Sequence, residues 1–401
     1  MRSYLWTVCG LSALAVGGAA VANYVVDPYV THQWDNDTVQ RLRPAREKMS
    51  AWGKTYAVAA YRPSVLYLGN SRTELGLPAP LPAFGKAPVF NAALSGASLG
   101  DAVAMAQHAL MVSRPRTVVW GVDAPSFSLV LGTQDFDRQL VATSPDYFPR
   151  RALLDLRRAV SYDMTEDTLR VLRGTFGSVC RSNLAFHGQR DTSCILDHMH
   201  GWGGTAAAVL PRLHEFVRGE GPTPDALQAF IDTVTLLCGT GAQLRIYLNP
   251  THASMHEALY QRGKWAALEQ WQRGLTAAID QARAGGCNAR LYDFSGYNSV
   301  TTEPLPQASG AKEMIYYWEP SHYRDNVGRM ILASMFGGDT SAVPTDFGIE
   351  LSLPMLDRFQ AVQRTARDEY RRAHPVEAAL ARAVAESEAA AARRAQLTQR
   401  R

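Results

Sequence analysis

Short apolar runs alternate with amphipathic segments along most of this chain. Five of the runs are rich in Val, Leu, Ile and Tyr and are almost continuously apolar, as is typical of strands buried on both faces of a parallel sheet. The predicted strands are Ser64–Leu68, Pro88–Asn91, Thr117–Gly121, Gln243–Leu248 and Ala289–Tyr292.

Helical patterns with recognisable start and stop signals lie between these strands. The predicted helices are Leu99–Ser113, which opens on a capping box of Ser98 and Asp101, Pro224–Leu237, which Thr223 caps, and His256–Ala284, which Gly285 and Gly286 end. Alternating β and α elements favour an α/β protein. We therefore expect a three-layer α/β/α sandwich around a parallel five-stranded, flavodoxin-like sheet, with a helical and loop insertion.

The alternation stops after the third predicted strand and resumes at the fourth. Residues 133–239 hold polar helices, two close cysteines and a Gly/His/Trp-rich stretch, and are interpreted as an insertion followed by a return helix. Residues 31–132 and 240–337 then form the α/β domain. The other segments are a membrane anchor over residues 1–30 and a C-terminal helical extension over residues 338–401, whose Ala/Arg/Glu-rich end is either a solvated helix or a frayed end.

The N-terminal segment carries a targeting signal. Tyr4 to Val26 contains no charged residue and is long enough to span a bilayer. Arg2 precedes this run and gives a weak positive-inside bias, which predicts that residues 30 onward lie outside the cytoplasm. Ala20-Val21-Ala22 also fits the cleavage site of a signal peptide. We favour a retained anchor because the apolar run continues past that site, and expect a single-pass bacterial inner-membrane protein with its bulk in the periplasm.

Composition and charge narrow the classes of function. Of the 401 residues, 46% are hydrophobic and 19% are charged, which is the profile of an ordinary globular protein. The net charge is +4, and the basic residues are scattered until the C-terminal tail. Because nucleic-acid binding requires a clustered basic surface, we expect no nucleic-acid partner.

Export changes the interpretation of the cysteines. Besides Cys9 there are four, and an even number in an oxidising compartment permits two disulfides. Cys180 and Cys194 lie close together in one loop-rich segment and are the favoured pair. Cys238 and Cys287 flank one predicted strand and are the second pair. Buried, unpaired cysteines are the alternative.

Residues that suit nucleophilic catalysis lie where the predicted strands end. The first strand ends at Gly69-Asn70-Ser71, the second leads into Asn91 and Gly96, and the third ends before Asp123. Ligands of open α/β sheets bind at this edge. Much later in the sequence, Glu319-Pro320-Ser321-His322 places a carboxylate three residues before a histidine. A serine, a histidine and a carboxylate are the components of a nucleophilic relay.

This ordered set of motifs resembles the SGNH (GDSL-like) hydrolase superfamily over roughly residues 60–130 and 240–337. The resemblance implies that Ser71 is the nucleophile, that His322 is the general base and that Glu319 orients the histidine. It also implies that the backbone N–H of Gly96 belongs to the oxyanion hole. We expect neither a cofactor nor a metal.

Two positions depart from the family pattern. Asn70 stands where the family has an Asp that is not the proton acceptor. Asp123 stands where the family has an Asn that donates to the oxyanion, and an ionised carboxylate can only accept. Loss of one such donor typically lowers the rate by about 10²–10³-fold. The site is then slow, inactive, or supplied with a donor by another residue, such as Asn91 or Asn249.

Several of these residues have structural alternatives. Ser71 and Glu74 have the spacing of a capping box, so Ser71 is also a candidate helix cap. Glu319 has Arg324 as an alternative partner. His198-Met199-His200 has no clear further ligands and is interpreted as a surface loop rather than a metal site. Trp318, beside the histidine motif, either stacks on a sugar ring or packs in the core.

The leading hypothesis is a membrane-anchored, periplasm-facing SGNH-like esterase or O-acyltransferase. The anchored topology resembles that of accessory proteins of bacterial polysaccharide O-acetylation, including the alginate acetylation machinery. That resemblance implies a polysaccharide or acyl-ester substrate and an acyl-transferring membrane partner. The rival hypothesis is a non-catalytic polysaccharide-binding or assembly protein with a degenerate SGNH fold. Asp123 favours the rival, whereas Ser71, Gly96 and His322 favour the enzyme.

Overall fold

The computed structural model is a mixed α/β protein, and it describes residues 1–29, 31, 51–79, 81–133, 136–175, 187–192, 195–196, 199, 201, 203–219, 221–307 and 313–399. Within these residues the strands are β1 (Val65–Leu68), β2 (Val89–Asn91), β3 (Thr117–Val122), β4 (Gln243–Leu248), β5 (Ala289–Asp293), β6 (Tyr317–Glu319), β7 (His322–Tyr323) and β8 (Ile349–Leu351). The five predicted strands are confirmed, each within one residue of its predicted ends.

The central sheet has the strand order β2-β1-β3-β4-β5-β8. The first five strands are parallel to their neighbours, and β8 is antiparallel to β5. β6 and β7 form a separate antiparallel hairpin. The strand order reverses between β1 and β3, and in open α/β sheets the crevice at such a reversal is where ligands bind. Ser71 follows β1 and Asp123 follows β3, so both lie at this crevice.

The prediction of a five-stranded sheet is wrong by one strand, because β8 extends the sheet at its edge. The run Ile349-Glu350-Leu351 is short, has a carboxylate at its centre and lies in the segment predicted to be helical. Arg290 of β5 donates to Glu350 Oε2 at 3.0 Å, which stabilises the pairing. Edge strands tolerate charged side chains, so the apolar pattern that identified the five parallel strands misses this one.

Helices cover the sheet and form much of the remaining described chain. They are α1 (Arg2–Val26), α2 (Ala51–Tyr61), α3 (Ser71–Gly76), α4 (Leu99–Val112), α5 (Tyr147–Ala159), α6 (Tyr162–Leu172), α7 (Thr205–Arg218), α8 (Pro224–Gly239), α9 (Ala253–Gln261), α10 (Trp265–Ala284), α11 (Asp325–Phe336), α12 (Leu353–Ala373) and α13 (Pro375–Gln399). The predicted caps are confirmed at the starts of α4 and α8.

Two helical predictions need correction. The predicted helix His256–Ala284 is two helices, α9 and α10, which separate at Gly263, where φ is +73°. The C-terminal segment is a helix that is solvated on only part of its surface, because some of its side chains pack on the body. It forms α13, whose Ala381 and Val384 are buried in a core that α7, α9 and α11 share.

Side chains of the strands alternate between two hydrophobic cores, one on each face of the sheet. On one face, Leu66 and Trp120 pack with buried residues of α4, α8 and α10. On the other face, Tyr67 and Tyr247 pack with buried residues of α7, α9, α11 and α13. Helices therefore cover both faces, an arrangement compatible with a three-layer α/β/α sandwich.

The N-terminal helix α1 is long and apolar enough to cross a membrane, and a signal sequence has the same properties. Among the described residues, the buried side chains of α1 are Asn23 and Val26, which lie in its last turn. Asn23 is buried there, and its Nδ2 donates to Ala159 O at 2.8 Å and to Thr165 Oγ1 at 2.9 Å. The body of the protein therefore holds α1 at the helix's C-terminal end, against α5 and α6.

A disulfide between Cys238 and Cys287 joins the end of α8 to the turn before β5. This bond confirms the second of the two predicted pairs. The first predicted pair, Cys180 and Cys194, lies outside the described residues.

Candidate active site

Ser71 is the first residue of α3 and follows β1 after a two-residue turn. Asn70 caps the helix instead, because its Oδ1 accepts a hydrogen bond from the N–H of Arg72 at 3.1 Å. The interpretation of Ser71 as a helix cap is therefore wrong. Gly69 has a φ of +147°, and a β-carbon there would lie 2.4 Å from Thr73 Oγ1, so the turn requires glycine.

His322 lies on the β6–β7 hairpin, where it pairs with Glu319. The imidazole Nδ1 contacts Glu319 Oε1, and the other carboxylate oxygen accepts from the N–H of Ser321 at 2.7 Å. Because an ionised carboxylate only accepts, Nδ1 carries the ring proton and donates it. Nε2 is then left as an acceptor, which is the tautomer that a general base requires.

The serine and histidine elements meet at the carboxyl edge of the sheet. Ser71 Oγ lies 2.7 Å from His322 Nε2, within hydrogen-bond distance. Ser71, His322 and Glu319 therefore form a continuous hydrogen-bonded chain from a hydroxyl to a carboxylate. The catalytic roles of the three residues stay a prediction.

Glu319 has a cationic partner, but Arg324 is not that partner. Arg324 Nη2 donates to Glu313 at 2.9 Å, so the suggested Glu319–Arg324 pair is wrong. Arg212 of α7 lies 3.0 Å from Glu319 Oε1 instead. A residue of the predicted insertion thus stabilises the carboxylate of the hairpin.

The charges around the hairpin favour a neutral histidine and an ionised carboxylate. Burial lowers the pKa of His322, and Arg212 and Arg72 lower it further against the opposing effect of Glu319. Burial works to raise the pKa of Glu319, but His322 and Arg212 outweigh burial and bring that pKa to about 2. At neutral pH, His322 is therefore able to accept a proton.

Asp123 is the centre of a buried polar cluster beside Ser71. Its Oδ2 accepts from Arg72 Nη1 at 2.9 Å, from Asn70 Nδ2 at 2.7 Å and from Asn249 Nδ2 at 3.3 Å. Burial works to raise the pKa of Asp123, but Arg72 and the hydrogen bonds outweigh burial and lower it. The carboxylate is therefore ionised, and the adjacent guanidinium compensates its charge.

Arg72 joins the two sides of the site. One terminal nitrogen binds Asp123, and the other donates to Ser321 Oγ at 2.7 Å. The guanidinium also lies 5.6 Å from the centre of the Phe216 ring. Because the side chain is buried and fixed by these contacts, it places a positive charge beside Ser71.

A cavity of about 500 Å³ opens beside Ser71. Its lining includes Gly96, His322, Arg72, Arg190 and Arg212. Gly96 has a φ of +75°, and no atom lies within 4 Å of the place where a β-carbon would be. Among the described residues, neither Ser71 nor Gly96 uses its backbone N–H in a hydrogen bond, so both donors are available to a ligand.

The two asparagines suggested as oxyanion donors do not line this cavity. Asn91 is fully buried, and its Nδ2 donates to Thr73 O at 2.9 Å. Asn249 donates to Asp123 and, at 3.3 Å, to Val122 O. These amides support α3 and the Asp123 cluster, so the suggestion that either replaces the family's oxyanion donor is wrong.

Trp318 packs in the core rather than in the cavity. Its ring is buried with Leu75, Ile195 and Met199, and the guanidinium of Arg324 lies 4.0 Å from the ring centre. Trp318 is not part of the cavity lining, so the core alternative to sugar stacking is the one observed.

A second buried ion pair supports α3 from the opposite side. Lys54 Nζ lies 2.8 Å from Glu74 Oε1, and both side chains are fully buried. Ser95 Oγ donates to Glu74 and accepts from Arg190 Nη1 at 2.8 Å. Burial works to raise the pKa of Glu74, but Lys54 and Arg190 outweigh burial and lower it. The cluster fixes α3, and with it Ser71, against the loop that carries Gly96.

Sequence analysis did not identify the three arginines of the cavity. Arg72 could have been predicted from the sequence, because it follows the candidate nucleophile and because Asp123 needs a compensating charge. Arg190 and Arg212 could not, because they lie in the predicted insertion and only the tertiary structure brings them to the strand ends. In the ranges that the structure describes, no three His, Cys, Asp or Glu side chains are grouped as metal ligands. His198 and His200 lie outside those ranges.

Comparison with known proteins adds no family to this description. No family model matches the chain, and neither a curated protein nor a solved structure matches it. The resemblance to SGNH hydrolases therefore rests on the sequence motifs alone, and a functional proposal has to be argued from the geometry of the site.

Proposed function

We propose that this protein is a membrane-anchored, periplasm-facing serine esterase or O-acyltransferase with an SGNH-like, flavodoxin-like α/β/α fold. The observation that carries the proposal is the chain from Ser71 to His322 to Glu319, with 2.7 Å between Ser71 Oγ and His322 Nε2. The position of that chain, at the reversal of the strand order, supports the fold assignment.

In the proposed reaction, the Ser71 hydroxyl attacks the acyl carbon of an ester while His322 Nε2 accepts the hydroxyl proton. Glu319 holds the imidazole and stabilises the imidazolium that forms. The backbone N–H groups of Ser71 and Gly96 stabilise the oxyanion. His322 then protonates the departing alkoxide and leaves an acyl-serine. In the second step, His322 deprotonates water or a sugar hydroxyl, which attacks the acyl carbon. The bond from that carbon to Ser71 Oγ then breaks, and His322 returns the proton to Ser71.

Arg72 offers a physical answer to the unusual carboxylate at Asp123. An isolated carboxylate beside the oxyanion would repel the developing charge. The guanidinium lies 2.9 Å from Asp123 Oδ2 and compensates that charge. The pair therefore makes the carboxylate compatible with catalysis.

The substrate class that we propose is an acyl ester of a cell-surface polysaccharide. The cavity holds about 500 Å³, enough for an acyl group and an attached sugar. Its serine and arginine lining suits a ligand rich in oxygen atoms. A retained α1 would keep the site at the membrane surface, within reach of an acyl-transferring membrane partner.

The test is a fluorophosphonate serine probe applied to the full-length protein, combined with acetyl-ester hydrolysis. We expect labelling of Ser71 and hydrolysis in the wild type, and loss of both in Ser71→Ala. Ser128→Ala is the matched control, because Ser128 also lines the cavity and lies outside the hydrogen-bonded chain. Equal hydrolysis by the wild type and Ser71→Ala would reject the catalytic serine.

The second candidate function is a non-catalytic polysaccharide-binding or assembly protein. It is favoured by the identity of the residue at position 123 and by the engagement of Asn91 and Asn249 outside the cavity. Under this alternative, the probe leaves Ser71 unlabelled, and Ser71→Ala binds polysaccharide as tightly as the wild type. Binding measured by calorimetry on both proteins separates the two candidates.

A further inference from the structure

Helix α5 exposes several large apolar side chains to solvent and directs a charged side chain towards the protein. Three of its large apolar side chains face solvent: Phe148 is 54% exposed, Leu153 50% and Leu156 62%, whereas Tyr147 is buried. Its charged Arg151 is only 4% exposed and faces the protein. A helix on the surface of a soluble protein normally shows the opposite arrangement.

The polar side chains of α5 make specific contacts with the protein. Arg151 donates to Thr55 Oγ1 and to Trp52 O, each at 3.1 Å, and to Asp155 at 3.2 Å. The guanidinium of Arg158 lies 3.4 Å from the centre of the Trp52 ring. Because α2 fixes the polar face in this way, the outward direction of the apolar face is built into the fold.

Helix α6 continues the exposed apolar surface. Tyr162 is 79% exposed at its start, and Leu169 and Leu172 are exposed towards its end. Large apolar side chains exposed on two helices that contact each other indicate a surface that another body covers. We define the platform as the exposed residues Phe148, Leu153, Leu156, Val160, Tyr162, Leu169 and Leu172.

The position of the platform identifies what covers it. The same two helices hold the last turn of α1, through hydrogen bonds from Asn23 to Ala159 and Thr165. Tyr29, just after α1, donates to Asp167 of α6 at 2.9 Å. The platform is therefore continuous with the segment that leaves the bilayer. Exposed Arg157 and Arg173 stand beside the apolar side chains, as in helices that lie on anionic membranes.

We propose that α5 and α6 lie on the membrane surface from which α1 emerges. The apolar side chains of the platform enter the boundary between headgroups and acyl chains, and the flanking arginines bind lipid phosphates. This contact turns a single-helix anchor into a two-point attachment, which fixes the orientation of the body to the bilayer. The proposal rests on the retained membrane anchor proposed above and is independent of the reaction proposed for the cavity.

The test uses the full-length protein in nanodiscs of phosphatidylethanolamine and phosphatidylglycerol. A photo-crosslinking residue is introduced as Leu156→p-benzoylphenylalanine, and the matched control is Val362→p-benzoylphenylalanine. Val362 is 56% exposed and lies on α12, which is not one of the helices that hold α1. We expect about tenfold more lipid adduct at position 156 than at position 362, measured by mass spectrometry.

Leu153→p-benzoylphenylalanine is a second probe on the same face, in case the first variant folds poorly. Lipid adducts as rare at positions 153 and 156 as at 362, in folded protein, would overturn the proposal. Adducts to a second copy of the chain at either position would also overturn it, since they would show that another protein covers the platform.

Discussion

The serine side of the site is built on regular sheet and helix elements, whereas the histidine side lies on a short hairpin outside the sheet. Ser71 opens α3 directly after β1, and the buried Lys54–Glu74 pair holds that helix. His322 belongs to β7, which has only two residues, and its partner Glu319 ends the three-residue β6. The hairpin therefore takes much of its order from side chains outside it.

Two arginines supply that order. Arg212 approaches Glu319 from α7 at 3.0 Å, and Arg72 reaches Ser321 from α3 at 2.7 Å. Backbone elements therefore fix Ser71, whereas a network of charges fixes His322 and Glu319. Substitutions that remove the reacting group of either side should therefore give losses of activity that do not add. Substitutions of the supporting charges should act mainly through the hairpin.

The largest expected effect is the loss of Ser71 or His322. If the two side chains act as one relay, Ser71→Ala and His322→Ala each lower kcat by about 10⁴–10⁶-fold, and the double variant is no slower than either. Acetyl-ester hydrolysis at equal folded concentration measures this. Multiplying losses in the double variant would contradict a shared step and separate the two sides of the site.

The next effect is at Glu319. Glu319→Gln keeps the shape of the side chain but removes the charge that stabilises the imidazolium, so we expect kcat to fall by about 10³–10⁴-fold. The matched control is Glu313→Gln, because Glu313 pairs with Arg324 and is 71% exposed. Equal activities of the two variants would show that the hairpin carboxylate is structural only.

The contrast between the two sides also explains how far the sequence predicts the molecule. The five parallel strands are recognisable because a strand buried on both faces is apolar along most of its length. The edge strand β8 is not recognisable from an apolar pattern, because its central residue Glu350 is charged and pairs with Arg290. The local signals for the starts of α4 and α8 depend on residues within one turn, so they too are readable.

The site is predictable only as far as local motifs reach. Gly69-Asn70-Ser71 and Glu319-Pro320-Ser321-His322 each identify a chemical group, and strand order implies that they meet. Nothing local predicts that Arg212 contacts Glu319, since the pair is brought together by the packing of α7. The sequence also indicates an uncompensated carboxylate at Asp123, whereas the fold pairs it with Arg72.

The ion pair between Asp123 and Arg72 determines what a substitution at position 123 should do. The wild-type carboxylate holds Arg72, so Asp123→Asn leaves a buried guanidinium without its counter-charge. We expect a loss of about 3 kcal/mol in the free energy of unfolding, and a lower kcat as Arg72 shifts. Chemical denaturation and ester hydrolysis measure the two effects.

A double-mutant cycle with Arg72→Met provides the control for position 123. Removal of both charges should cost less stability than the sum of the single losses, because no charge is then left buried alone. Additive losses would show that Asp123 and Arg72 are not coupled. Higher turnover in Asp123→Asn would show that the carboxylate opposes the oxyanion.

The smallest effect is on pH dependence, and it tests the charge network of the hairpin most directly. The base must be neutral, so kcat/KM should rise with pH through the pKa of His322, which burial and the two arginines hold below its usual value.

Arg212→Gln removes one cation and leaves Glu319 less compensated, and both changes favour the imidazolium. The midpoint should therefore move to higher pH. Arg218→Gln on the same helix is the control, because Arg218 pairs with Glu388, far along the chain in α13. A midpoint that stays in place in Arg212→Gln, or that moves equally in both variants, would show that Arg212 does not set the protonation of the base.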